Sequence, residues 1–254
     1  MLPNIEDNNV FLYWIGKDYK IIKFLRSLIY HHSDNGNNFT VHLINESNVQ
    51  DYIDNFPGEF FWNLKPANQA DFIRVNVLYK WGGIWLDSDT IVMSGLEELF
   101  EVIKKRGGFF ILQPEYKGKK WLCNSVLGTK PNTELYRIWK NDCFEILSNK
   151  REDISWDEIG TSLLEKYKFK NEYLFSQYQI LDGFENVHPV HWSETYQEFI
   201  EKPYDNWRTI ERDFQPLIII NNEAYKKSED LTEAEILSQT PLSYFIKKSL
   251  KNGI

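Results

Sequence analysis

The chain has little cysteine, no long apolar run and no excess of positive charge. Its two cysteines, Cys123 and Cys143, are too few for a disulfide framework in 254 residues, although a single bridge stays open. A reducing compartment, the cytoplasm, is the matching expectation. No window of about 18 apolar residues occurs, which leaves no candidate transmembrane segment. The opening stretch MLPNIEDNNVFLYWIG has neither a basic region nor a long apolar core, so a soluble, unprocessed chain is expected. With 29 Lys and Arg against 37 Asp and Glu, the net charge is -8 and a long phosphate backbone would be repelled. Nucleic acid is therefore not an expected partner, whereas a small anion held by one Arg or by a divalent cation remains possible chemistry. Internal repeats, low-complexity linkers and sharp shifts in composition are also missing, and a single domain over 1–254 is expected.

Aromatic residues are plentiful, at 16% with 9 Trp and 14 Tyr. They serve either a core of large side chains or a site that stacks on ring-shaped ligands. The pattern along the chain predicts an α/β arrangement. Asn9 to Gly16 reads as a buried strand, and the spacing of Ile21, Ile22, Leu25, Leu28 and Ile29 as one face of a helix. Phe39 to Ile44 reads as a second strand, which makes a parallel βαβ unit. A helix is predicted from Pro66 to Trp81, with proline in its first turn and the Gly82-Gly83 pair as its stop. Further along, 95–105 and 131–147 read as helices, and 107–113, 124–130 and 216–221 as strands. The segment 155–168 reads as a helix opened by a Ser155 and Glu158 capping box, and 231–250 as helical with a break at Pro241.

The chemistry concentrates in YKWGGIWLDSDT, residues 79–90. On a strand, Asp87 and Asp89 would share one face, with Ser88 opposed. Neighbouring carboxylates repel, and a proton or a shared cation must relieve them. Mg²⁺ or Mn²⁺ takes oxygen ligands and favours few carboxylates plus substrate phosphates, so the pair reads as an anchor for a metal diphosphate. Chance alone supplies about five acidic pairs at this spacing in such a chain, so the pair gains meaning only from its context. Asp71 and Arg74 lie three apart on the preceding helix, where they form either a surface ion pair or a clasp for phosphate and sugar hydroxyls.

The string NQADFIRVNVLYKWGGIWLDSDTIV resembles the DXD sugar-binding segment of the family-32 glycosyltransferases. The match runs through Ala70, Asp71, Arg74, Leu78, Tyr79, Gly82, Gly83, Ile84, Leu86, Asp87 and Asp89. More faintly, VFLYWIG is similar to that family's opening strand and WDEIGTSLL to its segment near the acceptor; about half the chain is covered. The resemblance implies a GT-A fold: one Rossmann-like, mixed but mainly parallel sheet flanked by helices. The nucleotide-sugar half would span about 1–113 and the acceptor side about 114–254. It also implies a nucleotide-sugar donor, such as a UDP- or GDP-sugar, and a glycan or glycoprotein acceptor. Transfer would proceed with retention, in surface polysaccharide or glycoprotein glycan synthesis, and would depend on Mn²⁺ or Mg²⁺. Asp89 would bind the metal, and Asp87 would contact ribose or sugar and a metal-bound water. Asp71 and Arg74 would hold the donor sugar, while Tyr13, Trp14 and Ile15 would lie against the base.

One departure stands out. Many relatives place a histidine metal ligand after the last strand, where this chain reads IIINNEAYKKS, so Asn221, Asn222 or Glu223 is the candidate for that position. Gln113, Glu115, Asp157 and Glu158 are acceptor-side candidates with structural explanations beside them, and His188 and His191 stay outside the catalytic set. Three rivals remain: a nucleotide-sugar hydrolase, a toxin-like enzyme that glycosylates protein, and a module that binds sugar nucleotides without turnover.

Overall fold

The computed structural model describes residues 2–34, 38–113, 115, 117–150, 153–183, 197, 200, 217–219, 226, 232–236, 238 and 241–252. Strand β1 (Asn9–Tyr13) is buried at all five positions, so it is covered on both faces and shows no alternation. Helix α1 (Lys20–Asp34) turns its apolar stripe inward and leads to β2 (Thr40–Ile44), which pairs parallel with β1. After the short α2 (Val49–Tyr52) and a 3₁₀ turn (Glu59–Asn63), helix α3 (Pro66–Trp81) has the predicted bounds. Strand β3 (Gly83–Leu86) follows directly and lies parallel to β1 on its other side.

The double glycine makes this connection possible. Gly82 and Gly83 have φ of 67° and 100°, in the region that side chains avoid. A Cβ on Gly83 would also collide with the carbonyl oxygen of Asn9, so the helix end and β1 approach more closely than any other residue allows.

Strand β4 (Thr90–Val92), helix α4 (Glu97–Lys105), β5 (Gly108–Leu112), β6 (Leu122–Thr129) and α5 (Glu134–Lys150) come next. Then follow α6 (Thr161–Lys170), α7 (Glu172–Phe175), β7 (Tyr178–Asp182), β8 (Leu217–Ile219), α8 (Glu233–Ile236) and α9 (Pro241–Asn252). The main sheet has the order β2-β1-β3-β6-β5-β7; five strands run one way and β6 runs against them. This is the mixed, mainly parallel α/β sheet that the sequence led us to expect. A second, two-stranded sheet pairs β4 with β8.

Alternate strand residues feed opposite faces. Phe11, Tyr13, Trp85 and Phe110 enter the core beneath α3, α5 and α6, while Val10, Leu12, Ile84, Leu86 and Phe109 pack towards α4. A third cluster joins α1, Ile91 and Met93 to Leu242, Phe245 and Ile246 of α9. Most aromatic residues of the described chain thus serve the core. Cys123 and Cys143 are buried thiols in different clusters and are not joined to each other. No helix among the described residues is long and apolar enough to cross a membrane.

Two expectations need correction. The helix predicted from Ser155 begins only at Thr161. Glu158 does accept the Ser155 N–H at 3.0 Å, but the Ser155 hydroxyl turns to Asp157 at 3.4 Å, so half a capping box closes a loop rather than opening a helix. The aspartate pair, likewise, is not on a strand. β3 ends at Leu86, and the Thr90 N–H donates to the Asp87 carbonyl at 3.1 Å, which folds 87–90 into a turn. The chain changes sheets there, because β4 belongs with β8.

Candidate functional site

The site lies at the carboxyl ends of β1 and β3, where open α/β sheets place their ligands. Three hydrogen bonds fix the aspartate turn. The Asp87 N–H donates to the Ser125 carbonyl at 2.9 Å, the Thr90 N–H to Asp87, and the Ser88 hydroxyl to the Tyr13 carbonyl at 3.0 Å. Ser88 is therefore the inward member of the triplet and ties the turn to β1. Asp87 and Asp89, on either side of it, are only partly buried.

Arg74 organises the side chains. Helix α3 is buried nearly all round and has no apolar stripe, so its polar residues must find partners inside the protein. The Arg74 guanidinium donates Nη2–H to Asp87 Oδ1 at 3.1 Å and Nη1–H to the Asn124 carbonyl, and lies 3.3 Å from Asp71 Oδ1. It also packs 5.1 Å from the Trp85 ring centroid, and the Trp85 indole N–H donates to the same Asp87 oxygen at 2.7 Å. Asp71 accepts the Asn124 side-chain amide at 2.8 Å. Asp71 and Arg74 are each 3% exposed, which excludes the surface ion pair.

Burial raises the Asp71 carboxyl to about 7; Arg74 pulls against that rise, and the charges of Asp87 and Asp157 add to it. Asp89 is raised well above the usual carboxylate range, first by desolvation and then by the neighbouring Asp87 charge. The two carboxylates thus repel inside one cleft, as their sequence spacing suggested, although a turn and not strand alternation brings them together.

The remaining predicted residues take varied places. Tyr13 is buried and its hydroxyl donates to Gln69 Oε1 at 2.7 Å; burial raises its pKa. Trp14 is half-buried, donates its indole N–H to the Lys17 carbonyl at 3.1 Å and has Arg26 over its ring at 6.0 Å. Ile15 packs at the margin of the main core. Asn221, Asn222, Glu223, His188 and His191 lie outside the described residues. Among the described residues, no group of three or more His, Cys, Asp or Glu could hold a metal ion, so Asp87 and Asp89 stand as a pair. Asp157 accepts the Ser162 hydroxyl at 2.8 Å, while Gln113 uses its backbone N–H on the Trp121 carbonyl at 2.8 Å.

Sequence reasoning missed Asn124 and Trp85, and reached Gly160 only as part of the WDEIGTSLL segment likened to the acceptor side, not as a neighbour of Asp71. Asn124 enters because β6 runs antiparallel beside β3 and carries its first residues to the aspartate turn. Gly160 enters because a Cβ there would strike Asp71 Oδ2 and the Asn124 amide. The alternation of IWL could have flagged Trp85 as sharing a face with Asp87; nothing in the string links 71 to 124 or 160.

The family model for capsular polysaccharide synthesis protein matches residues 2–235. No curated protein matches the chain in sequence. Among solved structures, a glycosyltransferase involved in glycosylation of the major capsid of PBCV-1 aligns over 87% of this chain and 96% of its own, at 10% identity and TM-score 0.52. The apo glycosyltransferase GlyE of Streptococcus pneumoniae TIGR4 aligns over 96% of this chain and 64% of its own, at 14% identity and TM-score 0.47. An active-site mutant of LgtC aligns over 97% and 100%, at 12% identity and TM-score 0.46. Identities this low speak to fold, and the first likeness carries it: the sheet and its flanking helices are those of a GT-A glycosyltransferase. With 2–235 inside the family model, the chain belongs to the capsular polysaccharide synthesis protein family.

Proposed function

We propose that this chain is a metal-dependent glycosyltransferase that moves a sugar from a nucleotide-sugar donor to a hydroxyl of a glycan acceptor in surface polysaccharide synthesis. The observation that carries the reading is the Asp87 and Asp89 turn, clasped by Arg74 at the carboxyl edge of the sheet.

The donor set fits a hard divalent cation. Asp87 Oδ1 is occupied by Arg74 and Trp85, whereas Asp89 is raised by burial and by the Asp87 charge, against which its backbone hydrogen bond and the Arg74 charge give only partial relief. Asp89 would hold Mn²⁺ or Mg²⁺ directly and Asp87 would hold it through water. Two protein carboxylates leave coordination positions for diphosphate oxygens, and Asn222 and Glu223 are candidates to complete the set. The bound ion would offset the negative charge that grows on a departing nucleoside diphosphate.

This chain's own groups supply orientation. Arg74 fixes the carboxylate plane of Asp87, and Asn124 fixes that of Asp71. Asp71 would accept hydrogen bonds from donor-sugar hydroxyls; near neutral pH its carboxyl exists in both protonation states, so it can also donate. Arg74 Nε is buried and has no acceptor among the described residues, a cost that a ligand oxygen in the cleft would offset. Tyr13, Trp14 and Ile15 lie at the end of β1, where a base would be held. Retention of configuration is proposed on the family likeness alone.

A thermal-shift screen of UDP- and GDP-sugars with Mn²⁺ tests the reading, because a ligand of the folded state raises its melting temperature. One nucleotide sugar should stabilise the protein only with metal, and Asp89→Ala should abolish that stabilisation and cut turnover about a hundredfold or more. Full release of nucleoside diphosphate without any acceptor would convert the reading to a hydrolase. No response to any nucleotide sugar would overturn it.

A further inference from the structure

The loop before α6 carries an exposed tryptophan on a rigid base beside the donor cleft. Asn68, 1% exposed on α3, donates its side-chain amide to the carbonyls of Ser155 at 2.9 Å and Trp156 at 3.2 Å. Four residues on, Gly160 presses against Asp71 and Asn124 with no room for a Cβ. Between them, the Ile159 carbonyl accepts the Trp139 indole N–H at 2.7 Å, and the Gly160 and Ser162 N–H groups both donate to the Asp157 carbonyl at 3.1 Å. Asn68 and Asp71 sit three apart on α3, so the groups that anchor Trp156 and Gly160 are about 5 to 6 Å from each other on one helix face. The loop therefore runs along the same face of α3 that presents Asp71.

The Trp156 backbone is pinned inward, yet its side chain stands in solvent, with the residue 61% exposed. Leaving an indole in water forgoes the burial that stabilises the other large aromatics of this chain. Phe169 and Tyr173 are more exposed still, at 84% and 76%, but they lie on α6 and α7, away from the segment that Asn68 holds. Trp156 differs in that part-buried hydrogen bonds from Asn68 hold its backbone about one helical turn from Asp71, so the loop that carries it is already ordered before binding.

We propose that Trp156 is the acceptor platform. Its indole face packs against the C–H face of a pyranose ring of the incoming glycan and presents a hydroxyl of that glycan to the cleft of Asp71, Arg74 and Asp89. The C–H groups on one side of a pyranose carry slight positive charge and match the negative face of the indole. This assignment rests on the transfer reading, and it names the acceptor class of that site: a neutral, ring-form saccharide recognised by one apolar face rather than by charge.

Saturation-transfer NMR with a panel of methyl glycopyranosides tests the platform without any donor or metal. At least one glycoside should receive saturation on the ring protons of one face. The signal should fall about five- to tenfold in Trp156→Ala and persist in Trp156→Phe, with both variants melting at the wild-type temperature. In turnover, Trp156→Ala should raise the acceptor KM by the same factor, and Trp156→Phe should restore it. Absence of binding by every glycoside, or binding that survives Trp156→Ala, overturns the platform. Glycoside binding that depends on Trp156, in a protein that ignores every nucleotide sugar, instead overturns the transfer reading and leaves the platform standing.

Discussion

Two ion pairs in this protein have the same helical spacing and opposite meanings. On α5, Glu134 and Arg137 form a two-pronged pair, with Arg137 Nη2 at 2.6 Å and Nε at 2.7 Å from the carboxylate; both side chains are about half exposed, at 50% and 47%. On α3, Asp71 and Arg74 are farther apart, at 3.3 Å, yet each side chain is only 4% exposed. The shorter pair is the less consequential. Water already solvates both of its charges, and holding two long side chains together costs entropy. On α3, buried Arg74 serves Asp71, Asp87, the Asn124 carbonyl and the Trp85 ring at once, and little water reaches the guanidinium to compete for it. Burial and shared partners, not distance, separate a buried clasp from a solvated face.

The largest expected effect follows from breaking the buried clasp. Arg74→Ala leaves Asp71 without its cation and should lower stability by about 3 kcal/mol, read as a shift of the urea midpoint at unchanged slope. A shift no larger than that of Arg137→Ala would erase the distinction between the two pairs. The next effect is pH-dependent. Because the folded-state pKa of Asp71 is raised to about 7, its contribution to stability is fully present below the unfolded carboxylate value and is lost as pH rises through 7. Asp71→Asn should therefore gain on the wild type between about pH 4 and pH 7, by an amount on the order of a few kcal/mol, when melting is followed in metal-free buffer. An unchanged difference across that window would mean that Asp71 is not a buried carboxyl.

His42 works in the opposite direction over much of the same range. Burial is the main cause of a pKa lowered to about 4, and its Nε2 lies 2.9 Å from Asn9 Oδ1. Its contribution is complete above about pH 6.5 and is lost as pH falls towards 4, so the test needs the difference between variants and not the wild-type curve alone. The smallest effect belongs to the exposed pair: Arg137→Ala should move the melting temperature by less than about 1 °C, and salt should shrink even that.

What could be read from the string follows the reach of each interaction. Helix α3 kept its predicted bounds because a proline start and a double-glycine stop are local constraints on backbone angles. The segment before α6 failed for the converse reason. Ser155 and Glu158 spell a capping box, but Asn68 takes the Ser155 and Trp156 carbonyls and Trp139 takes that of Ile159, so tertiary donors hold the chain open until Thr161. Strand β4 was invisible because its three residues need β8, more than a hundred positions away.

By itself, the sequence determined the α/β alternation, the delivery of Asp87 and Asp89 to the end of a buried strand, and the presence of Asp71 and Arg74 one helix earlier. These depend on periodicity, glycine stereochemistry and residue type, which act over a few positions. The tertiary structure alone decided that 87–90 is a turn, that Arg74 binds Asp87 as well as Asp71, and that Asn124 and Gly160 close on them. A reversed strand and a pinned loop make those contacts across dozens of residues, and the cost of an unpartnered polar group in a dry interior is what selects them.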